Sequence, residues 1–341
     1  MIPGEVLEAF SLDQSQLKIE PIDSGHINKT FKLIGDRSYV IQRINKSVFT
    51  NPDLIANNLR VASDHVNKNY PGYLFLSTLT TSDGKEMAYD EDEFPWRLFP
   101  YIPNTITIDA VADEQQAFRA AQAFGRLSKN LSGVDTTLFS ETIPRFHDLG
   151  LRYEQFESAF INASQERKNS SHELIENAKT FAFIKTKYEE LIQSGKLTLR
   201  ITHNDTKINN VLFDADSGKA ICVIDLDTLM PGYFIYDLGD MVRTFVSPVG
   251  EEGKIENVSF RKNIYDALLA GYLGEMNELL TEDERASIPF AGQMMTFMIG
   301  LRFLTDHLNG DIYFHVKKPG QNLIRAANQF RLLELLAENV G

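Results

Sequence analysis

The spacing of apolar residues changes partway along the chain, and that change restricts the fold more than any single motif does. Up to about residue 102 the apolar runs are short and β-rich: KTFKLI and SYVIQRI around Gly35-Asp36, then LFLSTLTT and WRLFPYI around Ser82-Asp83-Gly84-Lys85. Gly and Asp suit the tight turns that join antiparallel neighbours. One helical stretch, residues 52–68, opens at Asn51-Pro52, where proline fits a first helical turn. From Asp113 the repeat lengthens to three and four residues, as in DEQQAFRAAQAFGRLSKNL, and helical patterning continues over 150–193 and 259–340. Strands and helices segregated in this way predict an α+β protein of two lobes, a sheet-rich 1–102 and a mostly helical 103–341. A second hairpin, VLFD and AICVIDLD around Asp216-Ser217-Gly218, interrupts the helical part.

That hairpin follows the stretch richest in chemistry. His203-Asn204-Asp205-Thr206-Lys207-Ile208-Asn209-Asn210 has the form H-x-D-x-x-x-x-N, and Asp225 stands fifteen residues beyond Asn210 on the returning strand. Phosphoryl transfer needs a carboxylate to orient or deprotonate the attacking hydroxyl, and oxygen ligands for a magnesium ion bridging the phosphates of ATP. Asp205 supplies the first, and Asn210 with Asp225 the second; His203 reads as a brace for the loop. Asp227 shares the face of Asp225 on an extended segment and reads either as a second metal ligand or as a solvated strand-end acid. Asp237 and Asp240, in YDLGD, read as helix-capping or loop-bracing groups. Arg43 ends VIQR and puts a guanidinium, whose fork matches phosphate oxygens, on the sheet that would cover a nucleotide. The connector through Phe99, Pro100, Tyr101 and Ile102 offers main-chain groups to an adenine edge.

Bulk properties exclude other classes. The net charge of −13, with no basic run of five, argues against nucleic acid as a partner. The single Cys222, in AICVID, reads as a buried strand residue, and one cysteine forms no internal disulfide. The apolar stretch Pro289 to Leu304 is broken by Gln293 and Arg302 and is short for a membrane span, so it reads as a buried helix and no membrane association is expected. The start, MIPGEVLEAF, lacks a charged segment followed by an apolar one, so a cytoplasmic location is expected. The oligomeric state is not legible, and a monomer is the working expectation.

HNDTKINN, VIDLDTLMPG and YDLGD together resemble the aminoglycoside phosphotransferase and choline kinase superfamily. Within it, HNDTKINNVLFD, IDLDTLMPG, DSGHINKTF with YVIQRIN, and GLRFLTDHLNGDIYF resemble the N-acetylhexosamine 1-kinases in order and spacing over nearly the whole chain. The resemblance implies a protein-kinase-like fold and transfer from ATP, with magnesium, to the anomeric hydroxyl of N-acetylglucosamine or N-acetylgalactosamine. Asp205 then resembles the catalytic base, and Asn210 and Asp225 the metal ligands. In the connector DSGHIN, Gly25 would lie against the nucleotide and His26 toward the sugar, which Arg302, Asp306, Asp311 and Tyr313 would also face. Arg302 interrupts an apolar helix, and a buried cation needs either a ligand or an acid such as Asp306 one turn away.

Two departures bear on the nucleotide: Arg43 stands where the superfamily carries a strand lysine, and the helix over 52–68 has no glutamate to pair with it, only Asp53 and Asp64. The competing readings are a kinase for another acceptor, such as an aminoglycoside, choline, homoserine or a different sugar, and a nucleotide-binding module without turnover.

Overall fold

The computed structural model describes residues 2–22 and 27–340. The short helix α1 (Gly4–Ala9) precedes a five-stranded antiparallel sheet built from β1 (Lys18–Ile22), β2 (Lys29–Ile34), β3 (Tyr39–Arg43), β4 (Ala88–Tyr89) and β5 (Pro95–Pro100). The strands lie in the order β1-β2-β3-β5-β4, and α2 (Pro52–Asn69) runs between β3 and β4. The register sorts the side chains by parity: Phe31, Ile41 and Leu98 fall on one face, Thr30, Gln42 and Arg97 on the other. The first face, with Leu33 and Trp96, closes over Val6 and Leu7 of α1 as a small apolar core.

The sheet differs from expectation in two ways, an added first strand and a missing one. β1 carries Pro21, which has no amide to donate, and it sits at the sheet edge where that costs nothing. The run LFLSTLTT forms no strand, and only Leu79 bridges to Leu98. Thr81 there turns the chain, its hydroxyl meeting Asp83 at 2.5 Å and its amide bonding the Lys85 carbonyl at 2.7 Å. The edge of β5 is taken by β4 instead.

Beyond Pro100 the chain is mostly helical: α3 (Glu114–Asn130), α4 (Leu149–Asn162), α5 (Gln165–Ser170), α6 (His172–Thr180), α7 (Phe183–Gln193), α8 (Phe234–Phe245), α9 (Lys262–Met276), α10 (Glu282–Ala286), α11 (Ile288–Asn309) and α12 (Gln321–Asn339). Asp113 caps α3, its side chain accepting the Gln116 amide at 2.8 Å. α3 and α9 meet at glycines: a Cβ on Gly125 would lie 2.9 Å from the Tyr272 carbonyl oxygen, and one on Gly271 would strike that of Phe118. α11 is the buried helix expected over Pro289 to Leu304, with Phe290, Met294, Phe297, Leu301 and Leu304 inside, each contributing roughly 1.5–3 kcal/mol by burial. Among the described residues no helix is long and apolar enough to cross a membrane.

The larger apolar core draws in Ile55, Leu59, Ala62 and Val66 of α2 as well as the C-terminal helices. The amide Nδ2 of Asn58 ties α2 to the carbonyls of Ser140 (2.8 Å) and Leu229 (3.0 Å). Two short sheets complete the fold. β7 (Arg200–Thr202) pairs with β10 (Met230–Gly232), and β8 (Val211–Asp214) pairs with both β6 (Thr105–Ile106) and β9 (Ala220–Val223).

Candidate active site

β7 delivers the chain into the segment His203 to Asn210, whose backbone is held from all sides. The carboxylate of Asp237, fully buried in the first turn of α8, accepts the amides of His203 (3.1 Å) and Asn204 (2.7 Å), and its carbonyl accepts the Thr206 hydroxyl (2.7 Å). This holds Asn204 in the left-handed region at φ 66, one that asparagine tolerates better than most residues. Asp237 thus braces the loop from within α8 rather than capping it.

His203 donates from Nε2 to the Ile224 carbonyl at 3.0 Å and accepts the Asp205 amide at Nδ1 (3.2 Å), an arrangement that requires the neutral ring. Buried His147 donates from Nε2 to the Asn204 carbonyl at 2.9 Å, and burial pushes its pKa down to about 3.

With the backbone so fixed, Asp205 projects its carboxylate into the cleft. Lys207 Nζ lies 3.3 Å from Oδ1, and Asn210 Nδ2 donates to both Oδ2 (3.2 Å) and the Asp205 carbonyl (2.8 Å). Burial pushes the Asp205 carboxyl up, and the neighbouring charges, Lys207 foremost, together leave the group below the ordinary carboxylate range. Lys207 is raised in turn, chiefly by Asp205. The amide hydrogens of Asn210 are committed to Asp205, and among the described residues no donor meets its Oδ1.

Asp225 is left-handed too, at φ 58, and opens a tight turn over Leu226–Thr228. The extended segment expected over Asp225 and Asp227 is therefore broken, and the two acids do not share a face. Asp225 presents its carboxylate to the cleft, where enclosure first, then the Asp227 and Asp205 charges, push its pKa up to about 7. Asp225 is exposed on its outer side, which screens part of that shift, and the two acids that reach the cleft, Asp205 and Asp225, favour a cation. Asp227 is not available as a metal ligand: it is 2% exposed, with Oδ1 2.5 Å from Arg97 Nη1 and Oδ2 accepting Asn28 Nδ2 at 2.7 Å. The Arg97 contact is oblique, a charge pair more than a hydrogen bond.

Among the described residues no group of three or more His, Cys, Asp or Glu side chains forms a ready-made metal cage. Asn210 and Asp225 offer one amide oxygen and one carboxylate, which fits an ion that keeps waters and shares phosphate oxygens with its nucleotide.

Sheet parity corrects the expectation for Arg43. Gln42, not Arg43, faces the cleft beside Arg97, whose Nε and Nη2 donate to Gln42 Oε1 at 3.1 and 2.8 Å. Arg43 lies on the opposite face over the Phe94 ring, 4.3 Å from its centroid. Phe99 does face the cleft, with the Arg97 guanidinium 5.0 Å from its ring. The Tyr101 amide is spent on the Ser38 carbonyl (3.1 Å), so it is not a donor for adenine, and the Tyr101 ring lies under Lys32. Gly25 and His26 lie outside the described residues. Asp53 accepts the Tyr89 hydroxyl and Asp64 neighbours Arg60, so neither stands in for a helix glutamate.

On the far side, Arg302 lies among the rings of Phe146, Tyr313 and Phe314, 5.4 to 5.6 Å from each centroid, and donates to the Tyr313 hydroxyl at 3.3 Å. It makes no ion pair with Asp306. That carboxylate is consumed by the amides of Ile312 (3.0 Å), Tyr313 (2.8 Å) and Phe314 (2.9 Å) and by Asn322 (2.8 Å). Asp311 likewise bonds Arg167 and Asn322. Both acids shape the loop rather than face a ligand. Arg302, Tyr313 and Phe314 line a cavity of about 350 Å³ with Arg152, whose pKa burial, then the Arg302 charge, pull down to about 10.

Sequence reasoning missed Arg97, His147 and Arg152, and gave Lys207 no role. A parity count along VIQR puts Gln42 and Arg43 on opposite faces but does not say which of them meets the cleft; Arg97 itself left no local signal.

The fold is kinase-like, a sheet-rich N-terminal region on a helical C-terminal one, as solved structures show. An aminoglycoside phosphotransferase from Alicyclobacillus acidocaldarius superposes over 100% of this chain and 96% of its own at TM-score 0.66, with 13% identity. A microcompartment-associated aminopropanol kinase covers 99% of this chain and 97% of its own at TM-score 0.66 and 16% identity. The amicoumacin kinase hAmiN, solved with AMP-PNP, Ca2+ and Ami, covers 94% and 89% at TM-score 0.59 and 16% identity. The profile of the phosphotransferase enzyme family matches residues 18–279, most of the chain. The chain therefore belongs to that family, the small-molecule kinases of the aminoglycoside phosphotransferase and choline kinase type.

Proposed function

We propose that the protein transfers the γ-phosphoryl group of ATP to the anomeric hydroxyl of an N-acetylhexosamine, N-acetylglucosamine or N-acetylgalactosamine. The sugar oxygen attacks the γ-phosphorus, the bond to the β,γ-bridging oxygen breaks, ADP leaves, and the hydroxyl proton passes to Asp205. An anomeric hydroxyl is more acidic than an ordinary alcohol, so a carboxylate held low by Lys207 is basic enough to orient and accept that proton. Lys207 also places a cation where phosphate charge develops. Asn210 and Asp225 would hold magnesium, which supplies charge neutralisation across the phosphates when bound. On this reading residues 1–102 cover the nucleotide, residues 103–341 carry the catalytic and acceptor groups, and the enzyme works as a cytoplasmic monomer.

The observation that carries the acceptor class is the charge of the Arg302 cavity. Two guanidiniums, Arg302 and Arg152, line it, while its acid Asp306 is spent on backbone amides. A cationic amino alcohol or aminoglycoside would meet like charge there. A neutral sugar would not: an acetamido carbonyl can accept from Arg302 while its methyl packs on Phe146 and Phe314. Two contacts support an acceptor held between this cavity and the base: Phe146 underlies Arg302, and its neighbour His147 bonds the carbonyl preceding Asp205.

The test is a panel of N-acetylhexosamines, other sugars, amino alcohols and aminoglycosides with ATP and magnesium, read by phosphorus NMR. A sugar 1-phosphate from an N-acetylhexosamine is expected; rapid turnover of an amine acceptor with none of the sugars would overturn the reading.

A further inference from the structure

The Arg97–Asp227 pair lies 1% and 2% exposed between the N-terminal sheet and the loop that carries Asp225. Arg97 is itself held: Nε and Nη2 are committed to Gln42, which donates on to Thr30 at 3.1 Å, and Nη1 is left for Asp227. Asn28 meets the other carboxylate oxygen and accepts the Asn45 amide at 3.0 Å. Within the turn, C-terminal groups pin the residues around Asp225. The Ile224 amide donates to Asn210, the Asp227 carbonyl accepts from Thr142, and the Thr228 hydroxyl donates to His203. From the N-terminal region, Arg97 and Asn28 hold the Asp227 side chain, and Asn58 bonds the Leu229 carbonyl at the end of the turn.

We propose that Arg97 is a positioning residue for the metal loop. By holding Asp227 it fixes the left-handed backbone of Asp225 and couples the sheet to the ion site. Arg97 neutralises Asp227, the one acid of the three that is fully buried, and leaves Asp205 and Asp225 as the acids turned to the cleft. Without Arg97 the turn that carries Asp225 loses its charged tie to the sheet and is free to shift, and Asp227 is left as a buried acid without its cation, which costs stability.

The inference rests on the magnesium-nucleotide part of the proposed function and is independent of the acceptor. It is tested by calorimetric titration of AMP-PNP into the full chain, across a magnesium series and in EDTA. Arg97→Met is expected to raise the magnesium concentration for half-saturation about 10- to 100-fold, the range for groups that orient metal ligands. Affinity in EDTA should change little, and Arg97→Lys should fall between. Arg97→Met/Asp227→Asn removes both charges and is expected to regain the thermal midpoint but not the magnesium affinity; it serves if Arg97→Met does not fold. An equal loss in EDTA would mean that Arg97 touches phosphate directly, and a double variant that regains magnesium affinity would mean that the pair only packs; either overturns the assignment. A wild-type protein that binds no AMP-PNP would overturn the nucleotide reading, and this inference with it.

Discussion

The carboxylate of Asp237 offers the sharpest test of how the catalytic loop is built. It accepts two backbone amides, from His203 at 3.1 Å and Asn204 at 2.7 Å, with no exposed surface of its own. Asp237→Asn keeps the shape but leaves a single acceptor oxygen, so one amide keeps a bond of ordinary strength while the other faces an N–H. A hydrogen bond to a charged group is worth about 1.5–3 kcal/mol and a neutral one about 1, so losing one and weakening the other costs about 2–5 kcal/mol. Urea unfolding of the purified variant should show that loss as a lower midpoint with an unchanged slope. Turnover, measured where the variant remains folded, should fall as well, because the left-handed Asn204 is released beside Asp205. Ser128→Ala provides the control, its hydroxyl being 3.4 Å from the same carboxylate, and should cost much less. An Asp237→Asn protein within 1 kcal/mol of wild type and fully active would refute the claim that these two bonds shape the loop.

Asp205→Asn should lower turnover by roughly 10²- to 10⁴-fold with nucleotide affinity nearly unchanged, and equal losses in kcat and in AMP-PNP binding would contradict its role. His147 has a depressed folded pKa of about 3, so the stability it contributes is present above the unfolded value of about 6.5 and is lost as pH falls. The loss runs at about 1.4 kcal/mol per pH unit between those limits. His147→Gln should flatten that stretch of a stability–pH curve, and an unchanged slope would exclude His147 as its source. Gly271→Ala drives a methyl into the rigid Phe118 carbonyl and should cost about 1–3 kcal/mol by thermal unfolding; an unchanged midpoint would mean that α3 and α9 can separate.

What was legible in the sequence was local. The His203–Asn210 octet and the hairpin after it declare themselves because their spacing is short-range, and α11 because its apolar run is long. Arg43 was misread because one residue of register turns a strand side chain to the other face, and nothing within YVIQR fixes that parity. Arg97 was silent because Asp227 joins it only through tertiary folding. Asp306 and Asp311 looked like ligand acids because a carboxylate that holds a loop, through main-chain amides at Asp306 and through Arg167 and Asn322 at Asp311, has the same letter as one that binds a sugar.

Asp306 has a consequence for how this enzyme type can diversify. It grips residues 312–314 by their amides alone, a hold indifferent to the side chains those amides carry. The identities of Ile312, Tyr313 and Phe314 are thus uncoupled from the shape of the turn that presents them. With the acceptor placed as proposed, mutations there would retune which acceptor is welcomed without first having to rebuild the frame, which makes this loop a ready place for new preferences to arise by single substitutions.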